Sequence, residues 1–314
     1  MADGVLLNKL RKGRVWRKIG QERLTEPLSL NLASLLVWGF GSYRQKISWD
    51  LVVRQPYAYG VLKAADLAKA QGCDSVTLIE FGVASGFGLV NMARIASRVT
   101  EETGVRCEIH GFDTGTGMPP PLDFRDHPDL YQDGDFAADV AGLREVLPAN
   151  VTLHLGELRD TVPAFVESIS ATSPVGFVAL DVDYYSSTRD ALQVFSGDAA
   201  GLLPRVVVYA DDIALEAHNS AAGETLAIAE FNAEHPMRRL EFHRFFEDTR
   251  IFRRAQWVRQ MMFLHVMDHP ARQVREASQV KRYVENPYLR QESRSENFHS
   301  LSDTPRSPSF LGIR

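Results

Sequence analysis

Between residues 76 and 266, segments rich in aliphatic and β-branched residues alternate with segments of helical periodicity. Such alternation is typical of βαβ units, in which helices join parallel strands and cover both faces of the sheet. The last two strand-like segments have no helical segment between them, so we expect one of them to be antiparallel. Predicted strands are 76–81, 106–112, 151–155, 176–182, 205–210, 239–246 and 260–266; predicted helices are 88–103, 137–147, 160–170, 187–203 and 221–234.

Charge is unevenly spread along the 314 residues, whose net charge is −5. Residues 1–24 hold seven Lys and Arg against two acids, and residues 269–314 hold eight against five. Residues 25–268 therefore carry a net charge of −13. This acidic body argues against nucleic acid as a partner. The basic arm could contact an anionic membrane or another subunit, or it could simply be solvated.

Composition also suggests where the chain is divided. We expect an N-terminal extension over residues 1–50, one α/β domain over 51–268 and a flexible basic and polar tail over 269–314. The tail is rich in Arg, Ser, Glu, Asn and Pro and offers little apolar area to bury.

Several features favour a cytoplasmic protein. No run approaches the roughly 18 apolar residues of a transmembrane segment, so none is expected. The basic N-terminus is not followed by the apolar run of a secretory signal. The two cysteines, Cys73 and Cys107, are not spaced as metal ligands, and we expect two reduced thiols.

A strand that ends in an acid and a glycine loop is the first sign of a ligand site. In "VTLIEFGVASGFG", residues 76–88, Glu80 precedes the pattern E-x-G-x-x-x-G-x-G, which is neither a dinucleotide fingerprint nor a P-loop. The next strand ends in Asp113, where a carboxylate could bind ribose hydroxyls. Together these acids suit S-adenosylmethionine, which joins an amino acid, a sulfonium, a ribose and an adenine. The alternative is a structural turn in which Glu80 only caps.

Two further strands end in paired aspartates. "LDVDYYSSTRDAL" places Asp181 and Asp183 after one buried strand, and "YADD" places Asp211 and Asp212 after the next. Carboxylates gathered at one sheet edge repel each other unless a cation lies between them, and oxygen ligands suit Mg²⁺ or Ca²⁺. A single such pair is more often an ordinary turn, but two pairs on successive strands favour a metal site.

These motifs resemble those of class I S-adenosylmethionine-dependent methyltransferases, and more narrowly the macrocin-type sugar O-methyltransferase family. The matching stretches are "EFGVASGFG", "GFDTGTGMP", "LGELRDTVP", "LDVDYYSSTRDAL" and "YADD", which fall in family order over residues 76–212. The resemblance implies a Rossmann-like, doubly wound, mostly parallel seven-stranded sheet with a C-terminal antiparallel strand.

The resemblance also implies roles for individual residues. The donor, S-adenosylmethionine, would be bound by Glu80, Gly82, Ser85, Gly86, Asp113, Glu157 and Leu158. A Mg²⁺ would be held by Asp181, Asp211 and Asp212, with Asp183 as the general base. The runner-up base is His218, although a lone loop histidine usually has no special role. The long segment after Asp113, residues 114–136, is expected to form either a lid or an inert surface insertion.

We therefore expect an O-methyltransferase that acts on a hydroxylated small molecule, most simply a sugar or glycoside, and that could form a homo-oligomer. Two other interpretations remain open at this stage. One is a metal-independent methyltransferase; the other is a binding or accessory protein on the same fold, since fold does not fix function.

Overall fold

The computed structural model describes residues 23–214 and 219–273. The basic arm before residue 23, His218 and the tail from residue 274 lie outside the described residues. Within the described part, the strands are β1 Ser75–Phe81, β2 Arg106–Asp113, β3 Val151–Leu155, β4 Val175–Leu180, β5 Leu202–Ala210, β6 Arg238–Phe242 and β7 Met261–Val266. The helices there are α1 Leu28–Phe40, α2 Tyr43–Ser48, α3 Gln55–Gln71, α4 Phe87–Thr103, α5 Val140–Val146, α6 Leu158–Ser168, α7 Tyr185–Leu192, α8 Gly223–Glu234 and the single turn α9 Phe246–Thr249.

The strands described above form one sheet in the order β3-β2-β1-β4-β5-β7-β6. Strands β1 to β5 are parallel to one another, whereas β7 lies antiparallel between β5 and β6. This is the mostly parallel, seven-stranded sheet with a C-terminal antiparallel strand that the sequence predicts, and the prediction is confirmed. The strand order reverses between β1 and β4, and open α/β sheets bind ligands at such a reversal, beyond the carboxyl ends of the strands.

Both faces of the sheet are covered by apolar helix faces. Every residue of β1 and of β4 is buried, as expected for strands between two helical layers. On one face, α3 and α4 pack against the sheet through side chains such as Val61 and Met92. On the other face, α6, α7 and α8 do so through side chains such as Phe165 and Phe231. This two-sided core fixes the strand ends that carry the acids.

The prediction of one helix over residues 187–203 is wrong. Helix α7 ends at Leu192, and two single 3₁₀ turns then lead into β5, which begins at Leu202. Ser196-Gly197 lies between the two turns, and the carboxylate of Asp198 accepts a hydrogen bond from the Ala200 amide at 3.1 Å. Glycine and a local aspartate cap both favour turns over helix continuation.

The part of the extension that is described packs against the domain. The guanidinium of Arg23 donates hydrogen bonds to the carbonyls of Trp49 and Asp50 and lies 3.8 Å from the centre of the Phe252 ring. Across residues 23–214 and 219–273, none of the helices is long and apolar enough to cross a membrane.

Candidate active site

A cavity of about 410 Å³ opens at the carboxyl ends of β1 and β4, where the strand order reverses. Its size is that of a small-ligand site. Each residue predicted to bind the donor, except Gly86, lines it, and so do Asp181, Asp183 and Asp211. The structure therefore brings the residues predicted to bind the donor and three of the four predicted aspartates together in one cavity.

Glu80 is the buried acid at the end of β1. Its side chain is 1% exposed, and Oε1 accepts a 2.6 Å hydrogen bond from the hydroxyl of Tyr57 on α3. Its other oxygen, Oε2, has no hydrogen-bond partner among the described residues. Burial raises the pKa of Glu80 to about 7, against the opposing effects of Tyr57 and the Arg54 cation. A buried acceptor without a partner is a place where a ligand donor can bind.

The glycine loop brings backbone close to this carboxylate. Gly82 has φ +83°, and a Cβ at this position would lie 1.7 Å from the carbonyl oxygen of Asp181. At Gly88, the second residue of α4, a Cβ would lie 1.7 Å from Oε1 of Glu80. Gly86, with φ +76°, precedes α4, and its missing side chain leaves room for Leu143. The loop is therefore built around Glu80 and the end of β4.

Asp113, at the end of β2, holds two loops of the cavity wall. Its Oδ2 accepts a 2.8 Å hydrogen bond from the amide of Ala84, and its Oδ1 accepts one at 2.7 Å from Gly115. A carboxylate has about four acceptor positions, so these two bonds leave capacity for ligand hydroxyls. On the far wall, Glu157 precedes α6 and pairs with Arg159 at 2.6 Å.

Arg54 is a lining residue that the sequence interpretation missed. It precedes α3 with φ +53°, and its guanidinium lies 4.9 Å from the centre of the Tyr57 ring. The negative charges of Glu80 and Asp181 act on Arg54. Its own positive charge offsets part of the rise that burial causes in the pKa of both acids. Its sequence context carries little signal, because an arginine before a helix is usually at the surface.

The four predicted aspartates meet at the ends of β4 and β5. Burial and the charge of Asp211 raise the pKa of Asp181 to about 8. Asp183 and Asp212 are hydrogen-bonded to each other, and burial raises the pKa of both carboxyl groups. Burial and the charge of Asp183 raise the pKa of Asp212 to about 9.

The backbone at Asp183 is unusual. It has φ +57°, and the amide of Tyr184 donates a 2.5 Å hydrogen bond across it to the carbonyl of Val182. Left-handed backbone at a residue other than glycine is uncommon and concentrates at functional sites. The alternation expected of a continuing strand ends at Leu180, so this tight turn, not the pleat, directs Asp183.

A fifth carboxylate, Glu224, belongs to the same cluster and was not predicted. It lies in the first turn of α8, is fully buried and accepts a 3.2 Å hydrogen bond from the backbone amide of Asp212. Burial, together with the charge of Asp212, raises its pKa well above the usual range. An acid in the first turn of a helix normally complements the helix dipole, so its position in the sequence did not mark it.

Whether this cluster fits a metal ion depends on chemistry and on placement. The chemistry fits, because oxygen ligands suit Mg²⁺ and two buried carboxylate oxygens of the cluster, Asp212 Oδ2 and Glu224 Oε1, lack a hydrogen-bond partner among the described residues. The positions of the side chains, however, do not fit a metal ion. In residues 23–214 and 219–273, no three His, Cys, Asp or Glu side chains meet where they could hold one ion. Asp211 instead accepts hydrogen bonds from the Tyr209 hydroxyl and the Gln260 amide.

The segment after Asp113 forms the outer wall of the cavity and is fastened to α7. Asp126, 1% exposed, accepts hydrogen bonds from the amide and hydroxyl of Ser186 at 2.8 and 2.9 Å, and from the Leu122 amide at 2.9 Å. Tyr131 of the same segment is hydrogen-bonded to Asp183. The segment is thus part of the site, although the sequence offered no reason to single out Tyr131.

Comparison with known proteins gives similarity to solved structures only. No family model matches the chain, and no curated protein does. It is similar to CalS11, a calicheamicin methyltransferase, with 23% identity over 65% of this chain and 77% of that one, at a TM-score of 0.45. It is similar to apo CmcI, with 15% identity over 65% and 70% and a TM-score of 0.38.

A third similar structure is MycE, a methyltransferase from the mycinamycin biosynthetic pathway, in complex with Mg, SAH and mycinamycin VI. It is 11% identical over 65% of this chain and 54% of that one, with a TM-score of 0.33. CalS11 and MycE are named as methyltransferases, the class that the sequence motifs of this chain resemble.

Proposed function

We propose that this chain is an S-adenosylmethionine-dependent O-methyltransferase that acts on a hydroxyl group of a small molecule, with a sugar or glycoside as the substrate class. The observation that carries the proposal is the pairing, in one cavity, of a buried acid with an unused oxygen, Glu80, and a cation, Arg54. A zwitterionic amino acid needs both charges next to each other. The methionine part of the donor has this character.

The donor would lie along the glycine loop. Glu80 would accept from its ammonium group, and Arg54 would bind its carboxylate as a bidentate partner. Asp113 would accept from the ribose hydroxyls with its remaining lone pairs. Glu157 and Leu158 would flank the adenine, as the resemblance implies. In this orientation the sulfonium methyl points away from the ribose binding site, toward the aspartate cluster.

The acceptor would bind on the aspartate side, with its hydroxyl in line with the sulfonium–methyl bond. Asp183 would take the proton of that hydroxyl as the oxygen attacks the methyl carbon and the carbon–sulfur bond breaks. The charges balance, because the sulfonium becomes a neutral thioether and the protonated carboxyl replaces a carboxylate. Burial raises the pKa of Asp183, which strengthens it as a base, while hydrogen bonds with Tyr131 and Asp212 oppose part of that rise. Positioning supplies much of the rate of such a step.

Mg²⁺ remains part of the proposal, with Asp181, Asp211 and Asp212 as its expected ligands. When bound, the ion would lower the pKa of the acceptor hydroxyl. A metal-independent reaction is the second candidate, because no three His, Cys, Asp or Glu side chains of the described residues meet where they could hold one ion.

The test is methyl transfer from labelled S-adenosylmethionine to a panel of glycosides, with and without Mg²⁺ or chelator. Asp183→Asn is the decisive variant, since Asn tolerates the left-handed backbone at this position. We expect turnover to fall by about 10²–10⁴-fold, the usual contribution of a general base, while donor binding persists. Unchanged turnover in Asp183→Asn would exclude it as the base. Turnover that resists chelation would favour the metal-independent route.

A further inference from the structure

Helix α1 has its large apolar side chains turned away from the domain. Its sequence, LSLNLASLLVWGF, contains no charged residue. Of its thirteen residues only Ser34 is buried, and the Ser34 hydroxyl donates a 2.6 Å hydrogen bond to the Asn31 carbonyl. A surface helix normally does the opposite, burying its apolar stripe and exposing polar residues.

The exposed leucines of α1 are spaced for packing against another helix. Leu28, Leu32, Leu35 and Leu36 stand at positions i, i+4, i+7 and i+8, and they are 59–73% exposed. At 3.6 residues per turn these positions form one stripe, the pattern by which a helix packs against a partner. Gly39 continues the stripe and has open space around it. Trp38 and Phe40 flank the stripe, with 67% and 91% of their surfaces exposed.

Hydrogen bonds at the start of α1, and in the turn before it, hold the helix in place. The Asn31 amide donates to the carbonyl of Arg23 at 2.9 Å, which ties α1 to the preceding turn. Oε1 of Glu26 accepts hydrogen bonds from the backbone amides of Arg253 and Arg254 at 2.9 and 3.1 Å. Helix α1 is therefore held through the turn that precedes it, and rotation that turned the leucines inward would break the Asn31 bond.

We propose that the exposed stripe of α1 is a homodimer interface, in which α1 of one protomer packs against α1 of a second copy of this chain. In a two-fold interface the same patch of each protomer faces its copy. Because the stripe is uncharged, two copies of it can meet without opposing like charges. Together with Leu24, the exposed side chains offer on the order of 800 Å², which is what each partner contributes to a standard interface. Tryptophan, phenylalanine and a lack of charge are also typical of an interface core.

A lipid surface fits this helix less well. Helices that lie in a membrane interface combine an apolar face with a strongly charged, Lys- and Arg-rich face. Helix α1 has no charged residue on any side. A helix that is apolar nearly all round is typical of one buried within protein.

The test is the mass of the full-length chain in solution, by sedimentation velocity and light scattering over a dilution series from about 100 to about 1 μM. We expect twice the 35.1 kDa of one chain at the upper concentrations. The double variants Leu32→Glu/Leu36→Glu and Leu32→Arg/Leu36→Arg should each be monomeric, because like charges would meet across the two-fold axis. An equimolar mixture of the two should regain the dimer.

The control is Val146→Arg, which adds one positive charge at an aliphatic residue of α5 that is 62% exposed. It should leave the mass unchanged. A wild-type chain that stays monomeric across the series overturns the proposal, whether α1 is then covered by the chain's own terminal segments or binds anionic vesicles. The proposal is also overturned if the double variants remain dimeric, or if they fold as monomers that do not pair when mixed.

Discussion

The hydroxyl of Tyr57 donates a 2.6 Å hydrogen bond to Oε1 of Glu80, which joins helix α3 to the end of β1 inside the core. A hydrogen bond to the charged form of a buried acid favours ionisation. Burial, with a smaller effect from the charge of Asp113, drives the pKa of Glu80 upward, and Tyr57 with Arg54 limits the rise to about 7. If Glu80 binds the ammonium of the donor, the three residues together set the pH at which the donor binds.

Donor binding should therefore depend on pH through Glu80. The charged carboxylate is the form that attracts an ammonium group, so affinity for S-adenosylmethionine should rise as pH increases through about 7. Below that value the protonated acid offers only a neutral acceptor. Titration calorimetry at pH 6, 7, 8 and 9 checks this, and an affinity that is flat across the series contradicts it.

Tyr57→Phe should move that transition to higher pH. The variant removes a hydrogen bond to a charged group, which contributes about 1.5–3 kcal/mol, so we expect roughly tenfold weaker donor binding at pH 7. The loss should shrink at pH 9, where Glu80 ionises in either protein. Tyr59→Phe is the matched control, because the ring of Tyr59 on the same helix packs against Phe246 and Trp257.

The raised pKa of Glu80 also predicts the direction of a stability effect. A buried acid whose folded pKa lies above its unfolded value of 4.5 stabilises the fold below that value, and this contribution is lost as pH rises to about 7. Glu80→Gln removes the ionisation but keeps the shape. The unliganded variant should have a larger free energy of unfolding than the wild type at pH 8, by about 3 kcal/mol, and a similar one at pH 4. Urea denaturation at both pH values measures the difference, and equal stabilities at pH 8 would contradict it.

Arg54 is expected to recognise the carboxylate of the donor. Arg54→Gln should weaken S-adenosylmethionine binding by at least tenfold, since a charge-assisted bidentate contact is lost. The same variant should affect decarboxylated S-adenosylmethionine far less. A comparable loss with both ligands would mean that Arg54 acts only through the ionisation of Glu80 and Asp181.

The strand ends were predictable from the sequence, whereas the connections between side chains were not. The alternation of strands and helices is enough to predict that Glu80, Asp113 and Asp181 lie at one sheet edge. Arg54 and Glu224 join them from segments that are distant in sequence and carry no motif. The hydrogen bond between Asp183 and Asp212 depends on a left-handed turn at Asp183, and no periodicity predicts such a turn at an aspartate.

Gly82→Ala should unfold or severely destabilise the protein. A Cβ there would lie 1.7 Å from the carbonyl oxygen of Asp181, which is backbone and cannot move aside cheaply. Gly104→Ala is the matched control, because Gly104 has a similar φ of +80° but no atom within 4 Å of its Cβ position. The control should cost only the conformational strain, about 1 kcal/mol. Equal losses in the two variants by thermal unfolding would show that close approach at Gly82 is unimportant.

The most direct test of the proposed function is calorimetric titration of the full-length chain with S-adenosylmethionine at pH 8, with and without Mg²⁺. The account predicts a single site of micromolar affinity that is weakened at least tenfold by Glu80→Ala and by Asp113→Ala. Asp139→Ala, which removes an exposed acid that caps α5 through the Gly142 amide, should bind as the wild type does. No binding in either condition, or binding unaffected by both acid variants, would contradict the assignment of the cavity to this donor.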